Sequence, residues 1–417
     1  MMLKLVNGRL PDGTGADVLV ENGLIAAVGK HLPAGDKQIE LDGATLSPGF
    51  VDAHVHLRDP GQVHKEDIFT GTAAAAAGGF TDVCCMPNTN PVCDSPEVVR
   101  YILEKAARCS ARVHPVAALT KGLAGKELSD YTALWQAGAC FFSDDGKPLA
   151  DKTLFEDALK KITAMGGILM SHCEDLAIID GGIINQGAVS EKLGVKGMDR
   201  RSEDSVTEAE CAIAARTGGR LHICHVSTKG AAEILRRAKT RCGSITCETG
   251  PHYFSLTENC LLTRNADFRM NPPLREETDR QAIQDAVLDG TIDLIATDHA
   301  PHSEDEKQDF LHAPNGVVGL ETAFAVSYTC LVKPGYMSLQ ELLSRMSDAP
   351  RRVLGLPARH IQAGQPADLC AVSEEAWTVD RMRLHSKGKN TPYHGQTLYG
   401  KIKLTLLDGR ITYQENE

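Results

Sequence analysis

Eight short apolar runs, each followed by a stretch with helical spacing, succeed one another between residue 49 and about residue 300. This alternation is typical of strand–helix units, and the connections are long enough for each strand to lie parallel to the one before. Eight such units predict an α/β fold closed into a barrel. The predicted strands are Phe50–His56, Thr81–Met86, Arg112–Leu119, Cys140–Asp145, Gly167–His172, Leu221–Val226, Ile245–Thr249 and Asp293–Asp298. The predicted helices include Glu66–Ala77, Pro96–Cys109, Lys152–Met165, Ser202–Thr217 and Glu276–Leu288.

The two ends of the chain show a different pattern, in which short strand-like segments are separated by turn signals. Asparagine or aspartate followed by glycine favours tight turns between antiparallel strands. The signals are Asn7-Gly8, Asp12-Gly13, Asn22-Gly23, Asp42-Gly43 and, near the carboxyl end, Asp408-Gly409. Strand-like pieces return at Asp368–Val372 and Ile402–Leu407. We therefore expect residues 1–48 and 356–417 to build one small β domain beside a barrel of residues 49–355.

The composition excludes several classes of protein. The 417 residues carry 44 basic and 55 acidic side chains, a net charge of −11, whereas binding to nucleic acid or to an anionic membrane needs a basic surface. The 13 cysteines include no C-x-x-C pair, which argues against a disulfide framework or a zinc ribbon. Because the sequence shows neither a signal-peptide pattern nor an apolar run long enough to span a bilayer, we expect a cytoplasmic protein.

Side chains that bind metals gather at the carboxyl ends of the predicted strands, where β/α barrels carry their catalytic groups. A single strand histidine is more often an ordinary core residue. Four histidines and two aspartates on five strands would, however, be costly to bury without partners, and metal ions would satisfy them all. The residues are His54, His56, Asp145, His172, His225 and Asp298.

The number and chemistry of these residues favour two ions, with one ion as the alternative. His54 and His56 are two apart on one strand, so both side chains share a face and can bind one metal. Six ligands exceed the four of a tetrahedral zinc site, which favours two ions bridged by a carboxylate. Imidazole and carboxylate suit zinc first, with manganese or cobalt as substitutes. Water held between two such ions ionises near neutral pH, so the pattern predicts hydrolysis or its reverse.

The motifs along the barrel resemble, in their order, the amidohydrolase superfamily in its dihydroorotase form. Two histidines separated by one residue would be a weak signal alone, but the ordered set is specific and spans the whole barrel. The motifs are Gly49–Gly61, Met86–Pro91, Ser143–Gly146, Ser171–Asp175, His225–Ser227, Met270–Arg275, Thr297–His302 and Gly319–Ala323.

The resemblance implies a distorted TIM (β/α)8 barrel with a composite β-sandwich. It also implies an enzyme that interconverts N-carbamoyl-L-aspartate and L-dihydroorotate in pyrimidine biosynthesis. In the family pattern one metal is bound by His54, His56 and Asp298, and the second is bound by His172 and His225. A group on the fourth strand bridges the two metals.

The bridging group is expected to be Asp145. Hydantoinases, allantoinases and many dihydroorotases use a carboxylated lysine there, but the fourth predicted strand of this chain contains no lysine. The chain therefore resembles the dihydroorotase type that uses an aspartate. Asp144 is the alternative, because neighbouring strand residues face opposite ways and only one of the two can point into the barrel.

The expected substrate contacts are Arg58, Asn88, Asn271, His302, Gly316 and Val317. The guanidinium of Arg58 can bind a carboxylate with two hydrogen bonds, and the family pattern adds Asn88 and His302 to that grip. A surface salt bridge is the alternative role for Arg58, but its place two residues after a proposed metal ligand favours substrate contact. Asn271 is expected at the ring amide, and Gly316 and Val317 on a loop that closes over the ligand.

The mechanism expected from these roles is attack of metal-held hydroxide on the amide carbonyl of dihydroorotate. The metals would stabilise the developing oxyanion, and Asp298 would act as general acid and base by moving the proton to the departing nitrogen. Cyclisation of N-carbamoyl-L-aspartate would run the same steps backward.

Two other classes of protein share parts of the pattern. A cyclic amidase acting on hydantoins or allantoin would share the barrel and metals, but the missing lysine and the Arg58 and Asn88 pair argue against it. A structural or regulatory relative would have lost metal ligands, and this chain keeps all of them. From the resemblance we also expect a homodimer and an association with aspartate transcarbamoylase. The sequence shows no interface signal for either.

Overall fold

The computed structural model describes residues 2–415, which form two sheets of eight strands and one sheet of two short strands. The strands are β1 (Met2–Arg9), β2 (Gly15–Glu21), β3 (Leu24–Gly29), β4 (Lys37–Glu40), β5 (Thr45–Pro48), β6 (Phe50–Val55), β7 (Phe80–Cys85), β8 (Arg112–Ala117), β9 (Phe141–Phe142), β10 (Ile168–Ser171), β11 (Ile184–Asn185), β12 (Gly197–Met198), β13 (Leu221–Ile223), β14 (Ile245–Thr249), β15 (Leu294–Ile295), β16 (Leu369–Thr378), β17 (Thr397–Leu407) and β18 (Arg410–Gln414). The helices are α1 (Ile68–Ala77), α2 (Pro96–Ala106), α3 (Tyr131–Ala137), α4 (Lys152–Ala164), α5 (Leu176–Ile179), α6 (Ala188–Leu193), α7 (Arg201–Thr217), α8 (Lys229–Lys239), α9 (Pro251–Ser255), α10 (Glu277–Leu288), α11 (Ala323–Ser327), α12 (Leu339–Met346) and α13 (Asp348–Leu354).

One eight-stranded sheet is the barrel. Its strands pair in parallel in the order β6, β7, β8, β9, β10, β13, β14 and β15. The barrel closes where Val55 of β6 pairs with His299 just after β15, and the amide of His56 donates to the carbonyl of His299 at 2.8 Å. Each of the eight predicted apolar runs coincides with one of these strands, with β7 beginning one residue earlier than predicted, so the predicted barrel is confirmed.

Several barrel strands end earlier than predicted. The predicted strands reach Asp145, Val226 and Asp298, whereas β9, β13 and β15 stop at Phe142, Ile223 and Ile295. His225 and Asp298 have positive φ angles of 36° and 47°, which extended strands exclude. The backbone therefore leaves the ladder before the polar residues, and this turn directs their side chains over the end of the barrel.

The five predicted helices are all present, with small differences at their ends. The helix predicted from Glu66 begins at Ile68, because the side chain of Asp67 accepts from the Thr70 amide and the Thr70 hydroxyl accepts from the Asp67 amide. The helix predicted over residues 96–109 ends at Ala106. Within residues 2–415, no helix is both long enough and apolar enough to cross a membrane.

The second eight-stranded sheet joins the two ends of the chain. Its order is β18, β17, β16, β5, β1, β2 and β3, with β4 paired to β1. Apolar side chains from both ends meet in one core, which includes Leu5, Val18, Leu46, Leu369 and Leu404. The predicted β unit composed of both chain ends is therefore confirmed, whereas the domain limits at residues 48/49 and 355/356 stay a prediction.

Three of the five predicted turns connect antiparallel strands, and two do not. Asp12-Gly13, Asn22-Gly23 and Asp408-Gly409 lie between paired strands, as predicted. The hairpin predicted at Asn7-Gly8 is wrong: these residues lie inside β1 at an irregularity in its pairing with β2, where Asn7 has a φ of 55°. Asp42-Gly43 is also not a hairpin, because β4 and β5 both run parallel to β1.

A buried ion pair fastens α13 to the barrel. Arg351 is 2% exposed, and its guanidinium donates to Asp82 Oδ2 at 2.8 Å, to the Thr81 hydroxyl and to the Gly49 carbonyl. Gly49 has no room for a side chain, since a Cβ there would lie 2.2 Å from a methyl carbon of Thr81. The pair thus holds α13 where the chain passes from the end sheet into β6.

We expect Arg351→Met to lower the free energy of unfolding by about 3 kcal/mol, because it removes a charged partner of the buried carboxylate of Asp82 together with the buried hydrogen bonds to Thr81 and Gly49. Chemical denaturation measures the change. Arg352→Met is the matched control, because Arg352 is the next residue of α13 but is exposed; its effect should stay within about 0.5 kcal/mol. Equal stability of the two variants would contradict the role given to the ion pair.

Candidate metal and substrate site

The six residues predicted to bind metals converge at the carboxyl end of the barrel. None is more than 8% exposed. His54 and His56 lie at the end of β6, whereas the others follow the ends of four further strands. These are Asp145 after β9, His172 after β10, His225 after β13 and Asp298 after β15. The structure therefore brings together all the residues of the predicted cluster.

Two groups of potential metal ligands share Asp145. One comprises His54, His56 and Asp145, and the other comprises Asp145, His172 and His225; in each, the ligand atoms lie within 4.8 Å of one another. Asp145 Oδ1 is 3.4 Å from His54 Nε2 and 3.4 Å from His172 Nδ1. Asp145 Oδ2 is 3.5 Å from His56 Nε2. The carboxylate thus lies between the two histidine pairs.

The neighbouring carboxylate, Asp144, points away from this cluster. Its oxygens accept hydrogen bonds from the amide and the hydroxyl of Thr120. Burial raises the pKa of Asp144 to about 6. Of the two alternatives that the sequence leaves open, only Asp145 faces the histidines.

The cluster contains buried polar atoms that a cation would satisfy. Neither His54 Nε2 nor Asp145 Oδ1 has a hydrogen-bond partner, although both are buried. His172 Nδ1 and His225 Nε2 are 2.9 Å apart and both face Asp145. Unpaired buried lone pairs are costly, and divalent cations are bound by imidazole and carboxylate atoms arranged in this way. The residues present therefore fit metal binding.

Glu248 determines which nitrogen of His54 faces the cluster. Glu248 Oε1 lies 3.0 Å from His54 Nδ1, and Oε2 lies 3.1 Å from His222 Nε2. Burial opposes ionisation of Glu248, but the hydrogen bonds from the two imidazoles lower its pKa to about 2. Because a carboxylate only accepts, Nδ1 of His54 donates to Glu248, and Nε2 is the nitrogen that faces Asp145 and is available to a metal. No sequence pattern indicated this partner, which lies 194 residues away in the chain.

Asp298 is held beside the histidines of β6 by an aspartate of that strand. The carboxylate of Asp52 accepts from the Thr297 amide at 3.0 Å and from the Thr297 hydroxyl at 2.6 Å. Asp298 Oδ1 then lies 3.1 Å from His56 Nε2 and 3.7 Å from His54 Nε2. Burial disfavours the charged form of Asp298, but the contacts with these imidazoles outweigh it and lower the pKa of the carboxyl below 3.8. Asp298 is therefore a carboxylate at neutral pH.

A cavity of about 170 Å³ opens above the cluster. Five of the six predicted substrate contacts line it, namely Arg58, Asn88, Asn271, His302 and Gly316. Val317 is not among the lining residues, because its side chain packs against Met270 and Leu274 in a small apolar cluster. Gly146, Ala300 and Asn315 also line the cavity and were not predicted.

Arg58 is a buried cation without an anionic partner. The residue is 8% exposed overall, and within residues 2–415 no carboxylate lies within 4.0 Å of its guanidinium. Nε donates to the Pro301 carbonyl at 3.2 Å, and a terminal nitrogen lies 3.3 Å from His302 Nε2. Burial lowers the pKa of Arg58 to about 10, so it stays charged at neutral pH. A buried, unpaired guanidinium in a cavity is suited to bind a carboxylate.

The overall fold is shared with hydantoinases and dihydropyrimidinases. The L-hydantoinase (dihydropyrimidinase) from Arthrobacter aurescens aligns with a TM-score of 0.88 at 23% identity, covering 100% of this chain and 96% of that one. A dihydropyrimidinase from Brevibacillus agri aligns with a TM-score of 0.85 at 21% identity, covering 99% of this chain and 95% of that one. At these identities the similarity establishes the fold alone.

Sequence comparison identifies the class and then the family. The family model described as Dihydro-orotase-like matches residues 43–231, and the model described as Amidohydrolase family matches residues 306–413. Together with the barrel and its cluster of histidines and aspartates, these matches define an enzyme of the amidohydrolase class. A dihydroorotase of Geobacter metallireducens is 44% identical over 99% of this chain and 100% of its own length, and one of Acetivibrio thermocellus is 43% identical over 96% and 95%. The chain belongs to the dihydroorotase family.

Proposed function

We propose that this chain catalyses the reversible cyclisation of N-carbamoyl-L-aspartate to L-dihydroorotate. The observation that carries the proposal is the cavity in which the unpaired guanidinium of Arg58 faces a cluster suited to bind metals. A cyclic amide substrate that bears a carboxylate needs a cation to bind its negative charge and a metal site to act on its amide bond. The names of the full-length relatives support the same activity.

We propose two zinc ions as the cofactor. His54, His56 and Asp298 would hold one ion, and His172 and His225 would hold the other. Asp145 would bridge them, since its carboxylate belongs to both ligand groups. When bound, the ions would activate water for attack on the amide and stabilise negative charge on its carbonyl oxygen.

The protein side chains would bind the substrate and move its proton. Arg58, with Asn88 and His302 beside it, would bind the carboxylate and orient the ring, while Asn271 would contact the ring amide. The ionised carboxyl of Asp298 would take a proton during hydrolysis and deliver it to the departing nitrogen. In cyclisation the same carboxyl would remove the proton from the attacking nitrogen.

The test is turnover of L-dihydroorotate, hydantoin and allantoin by the purified protein, with metal content measured on the same sample. Turnover of dihydroorotate by zinc-loaded protein is the expected result. Turnover of only hydantoin or allantoin would mean that the Arg58 cavity has been assigned to the wrong substrate. Absence of turnover from all three, with metal bound, would contradict the proposed activity of the isolated chain.

Arg58→Gln should raise the KM for L-dihydroorotate about 100-fold, because the variant loses charged hydrogen bonds worth about 2.7 kcal/mol to the substrate carboxylate. Metal content should not change, since Arg58 contacts none of the metal-binding atoms directly. Steady-state kinetics and metal analysis check both expectations. Arg100→Gln is the matched control, because Arg100 is 55% exposed on α2 outside the cavity. An unchanged KM in the Arg58 variant would contradict its role.

We further propose that the chain is cytoplasmic, forms a homodimer and associates with aspartate transcarbamoylase. The two assembly proposals rest on the family resemblance, and the location rests on the sequence pattern. The mass in solution, measured by light scattering with and without that enzyme, tests the two assembly states.

A further inference from the structure

The side chain of Asn390 makes three hydrogen bonds to backbone groups around the cavity. Asn390 lies between β16 and β17, in the part of the chain that follows the barrel, and is 3% exposed. Its Oδ1 accepts from the His302 amide at 3.0 Å. Its Nδ2 donates to the Ala300 carbonyl at 3.1 Å and to the Gly316 carbonyl at 2.9 Å. One amide side chain thus connects two loops that are separate in sequence.

Both loops belong to the wall around Arg58. Ala300, His302 and Gly316 line the cavity, and the Pro301 carbonyl between the first two accepts from Arg58 Nε. The loops approach so closely that a Cβ on Gly316 would lie 2.6 Å from the Ala300 carbonyl oxygen. The position of this wall therefore decides where His302 and Arg58 present their nitrogens to a ligand.

The segment that carries Asn390 is itself fixed to the barrel. The amides of Ser386 and Lys387 donate to the carboxylates of Glu321 and Glu66. The ammonium of Lys389 donates to the carbonyls of Leu384 and Ser386, at 2.7 Å each. Asn390 thus reaches the cavity wall from a segment that is hydrogen-bonded to the barrel and within itself.

We propose that Asn390 is a positioning residue that holds the Ala300–His302 and Asn315–Gly316 loops in the geometry that binds the substrate carboxylate. The inference rests on the proposed function, because it assigns a specific part of the dihydroorotate site. An amide is required at this position, since the side chain must accept from one backbone amide and donate to two carbonyls. Binding groups that are not held by such supporting contacts lose the precise placement that affinity needs.

The test uses Asn390→Ala, which removes all three hydrogen bonds, and Asn390→Asp, which keeps the size and the acceptor but loses both donors. Each should raise the KM for L-dihydroorotate about tenfold, the equivalent of losing one well-placed hydrogen bond, with a smaller change in kcat. Metal content should equal that of the unmodified protein. Asn185→Ala is the matched control, because Asn185 is also buried and hydrogen-bonded but does not line the cavity.

Hydrogen exchange of the peptides that contain residues 300–302 and 315–318 gives a second readout that needs no activity. Faster exchange in these peptides, together with the raised KM, supports the inference. It is overturned by an unchanged KM, by an equal rise in the Asn185 variant, or by loss of kcat that parallels loss of metal. If the unmodified protein does not act on dihydroorotate, the proposed function fails. In that case the exchange rates alone test whether Asn390 holds the loops, and unchanged rates in the Asn390 variants overturn the inference.

Discussion

Asp298→Asn should lower the turnover of L-dihydroorotate about 1,000-fold, within the range measured for loss of a general acid or base. Asp298 is placed for proton transfer, because it lines the cavity and its carboxyl stays ionised among the imidazoles of His54 and His56. Asparagine has the same shape but cannot take up a proton. Hydrolysis and cyclisation should lose the same factor, since both pass through the same transition state.

The metal content separates proton transfer from metal binding. Asparagine keeps an oxygen at the same position, and the cluster around Asp145 remains complete, so the Asp298 variant should retain most of its metal. Kinetics in both directions and metal analysis on one preparation give the result. Asp305→Asn is the matched control, because Asp305 is exposed on the loop that follows β15. Near-native turnover by the Asp298 variant would exclude the general acid and base role.

The barrel could be predicted because burial on both faces gives parallel strands a continuous apolar composition. This composition identified all eight strands, and the polar residues at their ends identified side chains that the structure brings together in one cluster. The precise strand ends could not be predicted, because the left-handed backbone at His225 and Asp298 has no signature in an apolar pattern. The same limitation explains Asn7-Gly8, which has the composition of a turn but lies within β1.

The residues that support the site were not predicted. Glu248 and Asn390 contact groups that lie 194 and 88 residues away in sequence, so no local pattern connects them to His54 or His302. Metal-binding residues are recognisable from the type of side chain at a strand end. A supporting carboxylate or amide has no such signature, and only the folded chain shows what it contacts.

Asp144 and Asp145 are adjacent in sequence, but only one of them can face the histidines of the cluster. Strand periodicity requires the two side chains to face opposite ways, but it does not show which of them enters the barrel. In the structure, the Thr120 amide and hydroxyl bind Asp144, and this contact turns Asp145 toward the histidines. The two aspartates therefore offer a matched pair of substitutions.

Asp145→Ala should release at least one of the two proposed ions and lower turnover about 1,000-fold, because metal catalysis supplies several kcal/mol of transition-state stabilisation. Within residues 2–415, one group of potential metal ligands contains His56 and another contains His225. Asp145 is the carboxylate that belongs to both groups. Asp144→Ala should cost about 1 kcal/mol of stability through its lost hydrogen bonds but leave the metal content unchanged. Metal analysis and denaturation of both variants separate the two roles. Since the residues are adjacent and both buried, equal metal loss in the two variants would show that local unfolding, rather than a lost bridge, releases the metal.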